Sequence, residues 1–491
     1  MRTPGMWTLG AALAVGLATL VQIMPITDTD LWWLLKAGEH MVATRSLVAT
    51  DPFSWTAPGA FWLNHAWGFE LLLYGVYALA GFSGLIALQA GFALATFAVM
   101  CWTLRREAVP FAWASILIGV AALATRGFWS PRPQVVTYLG LAILWAIVWE
   151  YREGRRDWLA WLPLLMLVWV NLHGGFLIGL VVLGLATVGL AVDRLFDAGD
   201  EALARPRLGR MATVWLGCLA ATFVNPFHVH ALVFPFLVAA DHTAKEMIIE
   251  WFSPAFQYPQ LRLFEGLLLF FLAAQPAARR RPRLVDVGTL VVFVYLTLDA
   301  TRNIPLFVIV LTPLAGRLGL EAWTRLLPAI TGLDAERRRR AWAAVGLGLL
   351  VLLVGVRDLG RVPLRSLRPE WGVADVFPAG AADFLLAHRL PGRVYNDYGW
   401  GGYLTWRLFP HYRMFIDGRV AVFPPDIRED FITINNARPG WREALERRDI
   451  GIMLVRRGTA LASLMREAPG WTVAYEDRHM VVFQRPPRHS A

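Results

Sequence analysis

Apolar runs follow one another from residue 7 to residue 357, and most are long enough to cross a bilayer as helices. The pattern predicts spans near 7–26, 84–103, 111–125, 134–150, 158–171, 175–194, 210–225, 262–277, 284–299, 304–320 and 340–357. These make about eleven transmembrane helices, so the expected class is an α-helical polytopic membrane protein. The strict alternation of a membrane β-barrel strand is missing from them. Segment 66–80 is also apolar, but Glu70 interrupts it and Gly81-Phe82-Ser83-Gly84 ends it.

The polar connections assign sides. Arg105-Arg106, Arg152 with Arg155-Arg156, segment 193–210, Arg279 to Arg283 and Arg337 to Arg340 are basic, which predicts a cytoplasmic location. The loop 27–65 then faces outward, and an odd number of crossings must separate it from Arg105. Segment 66–80 is therefore expected to lie in the interface or re-enter, as is 228–240, with 84–103 crossing. The N-terminus falls inside and the C-terminus outside. The first run lacks a small-residue cleavage site before Asp28, so it is read as a retained helix.

Past Pro363 the period changes. Met414-Phe415-Ile416, 450–455 and 479–483 read as strands, and 379–389 and 440–448 as helices. Residues 363–491 are expected to form a small α/β extracytoplasmic domain, and 1–362 a transmembrane domain with its large outer loop 27–65. In that loop Asp30 to Met41 reads as a short amphipathic helix. The aromatic, turn-rich run Asp51-Pro52-Phe53-Ser54-Trp55-Thr56-Ala57-Pro58-Gly59 is expected to lie on the membrane, and Trp32 and Trp33 to anchor in the headgroup layer.

Composition narrows the function. Only 17% of the 491 residues are charged and mean hydropathy is +0.46. The net charge of +10 comes almost wholly from arginines that punctuate helices, which argues against a nucleic-acid partner. Cys101 and Cys218 both lie in apolar runs, so neither a disulfide framework nor a metal-binding spacing is expected. A phosphate-cradling glycine loop and a nucleophile elbow are both missing, which disfavours nucleotide-sugar, ATP and serine-esterase chemistry.

Side alternation collects unusual polar residues at the outer helix ends. Asp28 and Asp30 follow the first span; one carboxylate would deprotonate or orient an acceptor hydroxyl, or the pair would help hold Mg²⁺ or Mn²⁺. Asp30 is equally placed to cap the helix that follows. Arg302 and Arg132 suit bidentate contact with a phosphate, while Arg302 could instead pair with Asp299. Asn171, His173, His65 and Glu250 are candidates for supporting or substrate contacts, and Glu250 for a metal site. Asp397 and Tyr398, in a run dense in aromatics and glycine, and Asp417 with Arg419 suit a sugar or peptide surface or, equally, a strand-loop core. His173, His228 and His230 show no zinc-ligand spacing.

At Asp28-Thr29-Asp30, the amphipathic helix and Asp51-Pro52-Phe53-Ser54-Trp55, the chain resembles the GT-C superfamily of polyprenyl-phosphate-sugar-dependent glycosyltransferases. The layout is similar to the first outer loop of the oligosaccharyltransferase catalytic subunit and extends to bacterial mannosyltransferase-like membrane proteins. Asn396-Asp397-Tyr398-Gly399-Trp400 is similar to that subunit's Trp-Trp-Asp-Tyr-Gly acceptor motif, with Tyr395-Asn396 replacing its tryptophan pair. Loop 126–134 carries no acidic pair where oligosaccharyltransferases have one. The resemblance implies an enzyme of the bacterial cell envelope, an integral protein of the inner membrane. It would transfer sugar from a polyprenyl-phosphate-linked donor to a glycan, lipid or protein acceptor; the missing acidic pair favours a metal-independent transfer to a hydroxyl, with Mg²⁺ or Mn²⁺ as the alternative. Other partners would be membrane lipids. The competing classes are a transporter or flippase of a lipid-linked or anionic substrate, and a non-catalytic assembly protein docking a partner through 363–491.

Overall fold

The computed structural model describes residues 4–196, 201–258, 261–274, 283–331 and 373–486. The span expected over 340–357, the boundary expected at 362 and the arginines 279–281 and 337–340 lie outside the described residues. The chain divides into two compact units: Met1–Met24, Ile86–Pro235 and Ile248–Ser366 form the first, and Pro25–Leu85, Phe236–Met247 and Leu367–Ala491 the second.

The first unit is helical. Apolar sequence makes helices here because each backbone group is satisfied within its own segment, which hydrocarbon surroundings demand. Helices Pro4–Val21, Phe111–Ala124, Gln134–Arg152, Leu162–Val170, Phe176–Phe196, Glu201–Ala221, Arg262–Ala274, Leu284–Asp299 and Ile304–Thr331 correspond to the expected spans. Among the described residues, four helices are long and apolar enough to cross a membrane: Trp67–Arg106, Gln134–Arg152, Phe176–Asp193 and Thr301–Ala322. Helix Gln134–Arg152 is largely enclosed, packing on Phe176–Phe196 and Ile304–Thr331. A Cβ on Gly140 would come 2.8 Å from the Trp169 ring, so glycine allows this close helix contact.

Segment 66–80, expected to be separate from the helix at 84, is helical from Trp67 up to Gly81. Trp67–Arg106 runs on both sides of Gly81, whose φ of 57° and ψ of −150° kink it. Gly81, read as a terminator, leaves helical geometry and separates two helical segments, as expected.

The second unit carries a four-stranded sheet: β1 (Arg393–Asn396), β2 (Ile450–Arg456), β3 (Thr472–Glu476) and β4 (Met480–Gln484) in the order β1-β2-β4-β3. β1 and β2 are parallel, with Val394 opposite Ile452; the other pairs are antiparallel. Helices Ala379–His388 and Trp441–Arg447 fall where their periodicity placed them. Met414-Phe415-Ile416 forms no strand of the sheet; Met414 makes only an isolated bridge to Ser54.

The first loop belongs to the core of this unit. Ala37, Met41, Phe53 and Trp62 are buried with Tyr395, Phe415, Met453, Val481 and Phe483. The Trp55 indole donates to the Val394 carbonyl at 2.9 Å, and the Thr56 hydroxyl to the Phe415 carbonyl at 2.5 Å. The run 51–59 therefore spends its aromatics on protein packing, not on a membrane surface. Trp32 corrects the headgroup-anchor expectation in the same way: it is 1% exposed and meets Phe82, Phe377 and Tyr403 edge-on.

Candidate functional site

In the second unit, Asp28 and Asp30 sit in a short turn before helix Leu31–Thr44. The Asp28 carboxylate accepts the Asp30 backbone N–H at 2.9 Å, a local turn that aspartate favours. Asp30 occupies the N-cap position but makes no side-chain capping bond. Its Oδ1 accepts the Trp33 indole N–H at 3.0 Å instead. Trp33 thus orients a carboxylate, which its reading as a headgroup anchor missed.

Glycines from distant sequence line this turn. A Cβ on Gly418 would come 2.1 Å from Asp30 Oδ1 and 2.8 Å from Trp33 Nε1. A Cβ on Gly402 would come 2.8 Å from the Thr29 carbonyl oxygen, and one on Gly399 3.5 Å from Thr29 Cγ2. Any larger residue at 418 or 402 would push the Asp28-Thr29-Asp30 backbone or its carboxylates aside.

Asp397 caps helix Tyr398–Leu408 by accepting the Gly399 N–H at 3.0 Å. Arg456, at the end of β2, grips it at both oxygens, 2.9 and 3.0 Å, and stacks over Trp400 at 4.4 Å. Tyr398 directs its hydroxyl to the Gly418 carbonyl at 3.5 Å. Asp30, Asp397 and Tyr398 are thus gathered around glycines 399, 402 and 418. Arg456 escaped the sequence reading because its partner is 59 positions away.

Asp417 and Arg419 flank Gly418 but spend their side chains in the core. Both are buried, 0% and 5% exposed, and Arg419 binds Asp417 through Nε and Nη2 at 2.9 and 2.6 Å. Its Nη1 reaches Asp51 at 2.7 Å, and Trp62 stacks on it at 4.7 Å. The two carboxylates outweigh burial and raise the Arg419 pKa above its ordinary value. These groups close the core instead of facing a substrate, because every charged edge is spent within it. His65 stands in the turn that leads to Trp67, its backbone N–H on the Leu63 carbonyl at 2.9 Å.

In the first unit, three expected residues converge. Arg132 Nη2 lies 3.1 Å from each oxygen of Glu250, which sits in the short turn Ile249–Trp251. Arg302 lies in turn Thr301–Asn303 and covers the Trp251 ring at 5.1 Å. Thr301 locks the turns together, its N–H and hydroxyl both donating to the Phe252 carbonyl at 2.9 and 2.7 Å. Burial alone would raise the Glu250 pKa, but Arg132 first and Arg302 second hold it below the ordinary carboxylate value.

His173 and Asn171 follow helix Leu162–Val170. Trp169 Nε1 donates to Thr137 Oγ1 at 3.0 Å, Thr137 Oγ1 lies 2.6 Å from His173 Nδ1, and the Gly175 N–H donates to the same nitrogen at 3.2 Å. With two donors on Nδ1, the ring proton belongs on Nε2. The Asn171 amide bonds the Leu167 and Val224 carbonyls, both at 2.9 Å, and so joins helix ends. That accounts for its conspicuous position without a ligand.

Solved structures resemble the whole architecture. The archaeal oligosaccharyltransferase AglB from Archaeoglobus fulgidus, in complex with an inhibitory peptide and a dolichol-phosphate, matches at a TM-score of 0.59 and 12% identity, over 92% of this chain and 69% of AglB. ArnT from Cupriavidus metallidurans bound to undecaprenyl phosphate matches at 0.50 and 17% identity, over 98% of each chain. The apo form of ArnT matches at 0.51 and 17%, over 98% and 97%. This is the GT-C fold. No protein-family model and no curated protein matches the chain. Against a GT-C metal centre, the donor set falls short. Among the described residues no three His, Cys, Asp or Glu side chains group around one point, and Asp30 already holds an indole N–H.

Proposed function

We propose that this GT-C protein is an inverting membrane glycosyltransferase that moves a sugar from a polyprenyl-phosphate-linked donor to an acceptor hydroxyl on the outer face. The observation that carries the reading is the coincidence of a GT-C fold with an ordered Asp28-Thr29-Asp30 turn. The ligands named for AglB and ArnT, dolichol-phosphate and undecaprenyl phosphate, support the donor class. In this reading the transmembrane domain is 1–362 with about eleven helices, the N-terminus cytoplasmic and 363–491 extracytoplasmic.

Asp28 is the base. Asp30 is a weaker choice, since its Oδ1 already accepts the Trp33 indole N–H. The acceptor O–H proton goes to Asp28, the acceptor oxygen bonds the anomeric carbon, and the carbon–oxygen bond to phosphate breaks with its electron pair on the phosphate. The donor diester carries one negative charge and the leaving monoester approaches two. Arg302 and Arg132 therefore stabilise the products' side of the reaction more than the bound donor. Glu250 holds Arg132 in place, and His173 presents its Nε2–H as a donor. Asp397 and Tyr398 contact the acceptor.

Membranes carrying the protein, supplied with labelled donor lipids, test this. The wild type should form a new glycoside, Asp28→Asn should lose about 10²–10⁴-fold in rate, and Asp30→Asn should lose less. Donor movement across vesicles without glycoside, or full activity of the Asp28→Asn/Asp30→Asn double variant, sinks the enzyme reading.

A further inference from the structure

We propose that Arg126 binds the phosphate of the lipid carrier, a role that falls outside the pair Arg302 and Arg132; the inference rests on the donor reading above. Arg126 follows the C-cap Thr125 of helix Phe111–Ala124. Its loop is held from several sides. Trp129 Nε1 donates to Thr125 Oγ1 at 3.1 Å, Gln89 Nε2 to the Trp129 carbonyl at 3.1 Å, and the Tyr138 hydroxyl to the Phe128 carbonyl at 3.4 Å. A guanidinium based on such a loop is positioned before any ligand arrives.

Its charge is unmatched. Arg126 is half-buried, and its Nε is fully buried with no hydrogen-bond acceptor. Among the described residues no carboxylate pairs with it and no aromatic ring stacks on it. Burial pulls its pKa below the ordinary arginine value and nothing pulls back. Arginine does not give up its proton to relieve burial, so an enclosed guanidinium calls for an anion. On the same loop Arg132 has its anion, Glu250, and Glu250 also answers Arg302. Arg126, at the start of that loop, has no such anion among the described residues. A phosphate monoester would supply one. A planar guanidinium with adjacent N–H groups suits its oxygens.

The test uses the full chain in phosphatidylcholine nanodiscs, with labelled polyprenyl phosphate, inorganic phosphate, uncharged polyprenol and phosphatidylglycerol as probes. Polyprenyl phosphate should bind the wild type and raise its melting temperature. Arg126→Gln should weaken that binding by about tenfold or more, and Arg126→Lys by less, because lysine keeps the charge but not the fork. Without ligand, Arg126→Gln should melt no lower than the wild type, since it removes an unanswered charge; a structural arginine would give a drop. Unchanged polyprenyl phosphate affinity in Arg126→Gln overturns the inference. So does equal weakening for polyprenol, which would make the contact one with the chain. Sensitivity confined to inorganic phosphate or phosphatidylglycerol overturns the carrier assignment. A wild type that transfers sugar while Arg126→Gln binds normally refutes this inference alone. Arg126-dependent binding in a protein without transferase activity refutes the function alone.

Discussion

The two ends of helix Gln134–Arg152 hold arginines in opposite states. Near its C-terminal end, Arg106, Arg152, Arg155, Arg283 and Arg317 meet Glu107, Glu150, Glu153 and Asp286. Arg317 alone reaches Glu107 at 3.0 Å and Glu153 at 2.8 Å, tying helix Ile304–Thr331 to its neighbours. Five cations face four anions there. Near the N-terminal end, Glu250 pairs with Arg132 and feels the charge of Arg302, while among the described residues no carboxylate pairs with Arg126. A matched cluster fastens helices, whereas an undermatched one is prepared for an anion that comes and goes. The difference separates scaffold from site better than residue type does, since both ends are built from the same side chains.

The largest expected effect breaks the matched end. Glu150, 1% exposed, serves both Arg106 and Arg155, so Glu150→Gln should cost about 3–5 kcal/mol in thermal or denaturant unfolding. At the undermatched end the same chemistry should behave differently. Glu250→Gln should cost stability only about 1 kcal/mol or less. It should tighten polyprenyl phosphate binding by freeing Arg132, and slow transfer because Arg132 loses its orientation. Equal destabilisation by the two changes would erase the distinction between the ends.

A pH titration sharpens the comparison further. Glu250 has its pKa depressed in the folded protein, so its contribution is present above the unfolded value and fades as pH falls through the folded one. The wild type should therefore lose slightly more stability in acid than Glu250→Gln does; parallel curves would contradict the ion contact. The smallest effect belongs to Asn171→Ala, about 1 kcal/mol in stability with transfer unchanged, since its amide joins the Leu167 and Val224 carbonyls at two helix ends.

Local features were legible in the sequence. Apolar length placed the helices from Phe111–Ala124 to Ile304–Thr331, and alternation placed β2 and β4. Asp28 and Asp30 stood out because carboxylates next to an apolar run need a reason. What could not be read was pairing across distance. Arg419 meets Asp51 across 368 positions, and Arg132 meets Glu250 across 118. Composition marked Arg419 and Arg302 equally as candidates, and burial separated them. The same gap hid Arg126, which in sequence differs little from Arg132. Trp32 and Trp33 misled for a related reason: an indole's fit to the headgroup layer is also a fit to an aromatic core.

The central claim is that Asp28 takes the acceptor's proton in transfer from a lipid-phosphate donor. The most direct measurement is single-turnover release of polyprenyl phosphate from labelled donor by the purified full chain, comparing wild type with Asp28→Asn at matched donor occupancy. The account predicts rapid release by the wild type and release slowed about 10²-fold or more by Asp28→Asn, with donor affinity retained. Equal release rates in the two proteins would contradict it.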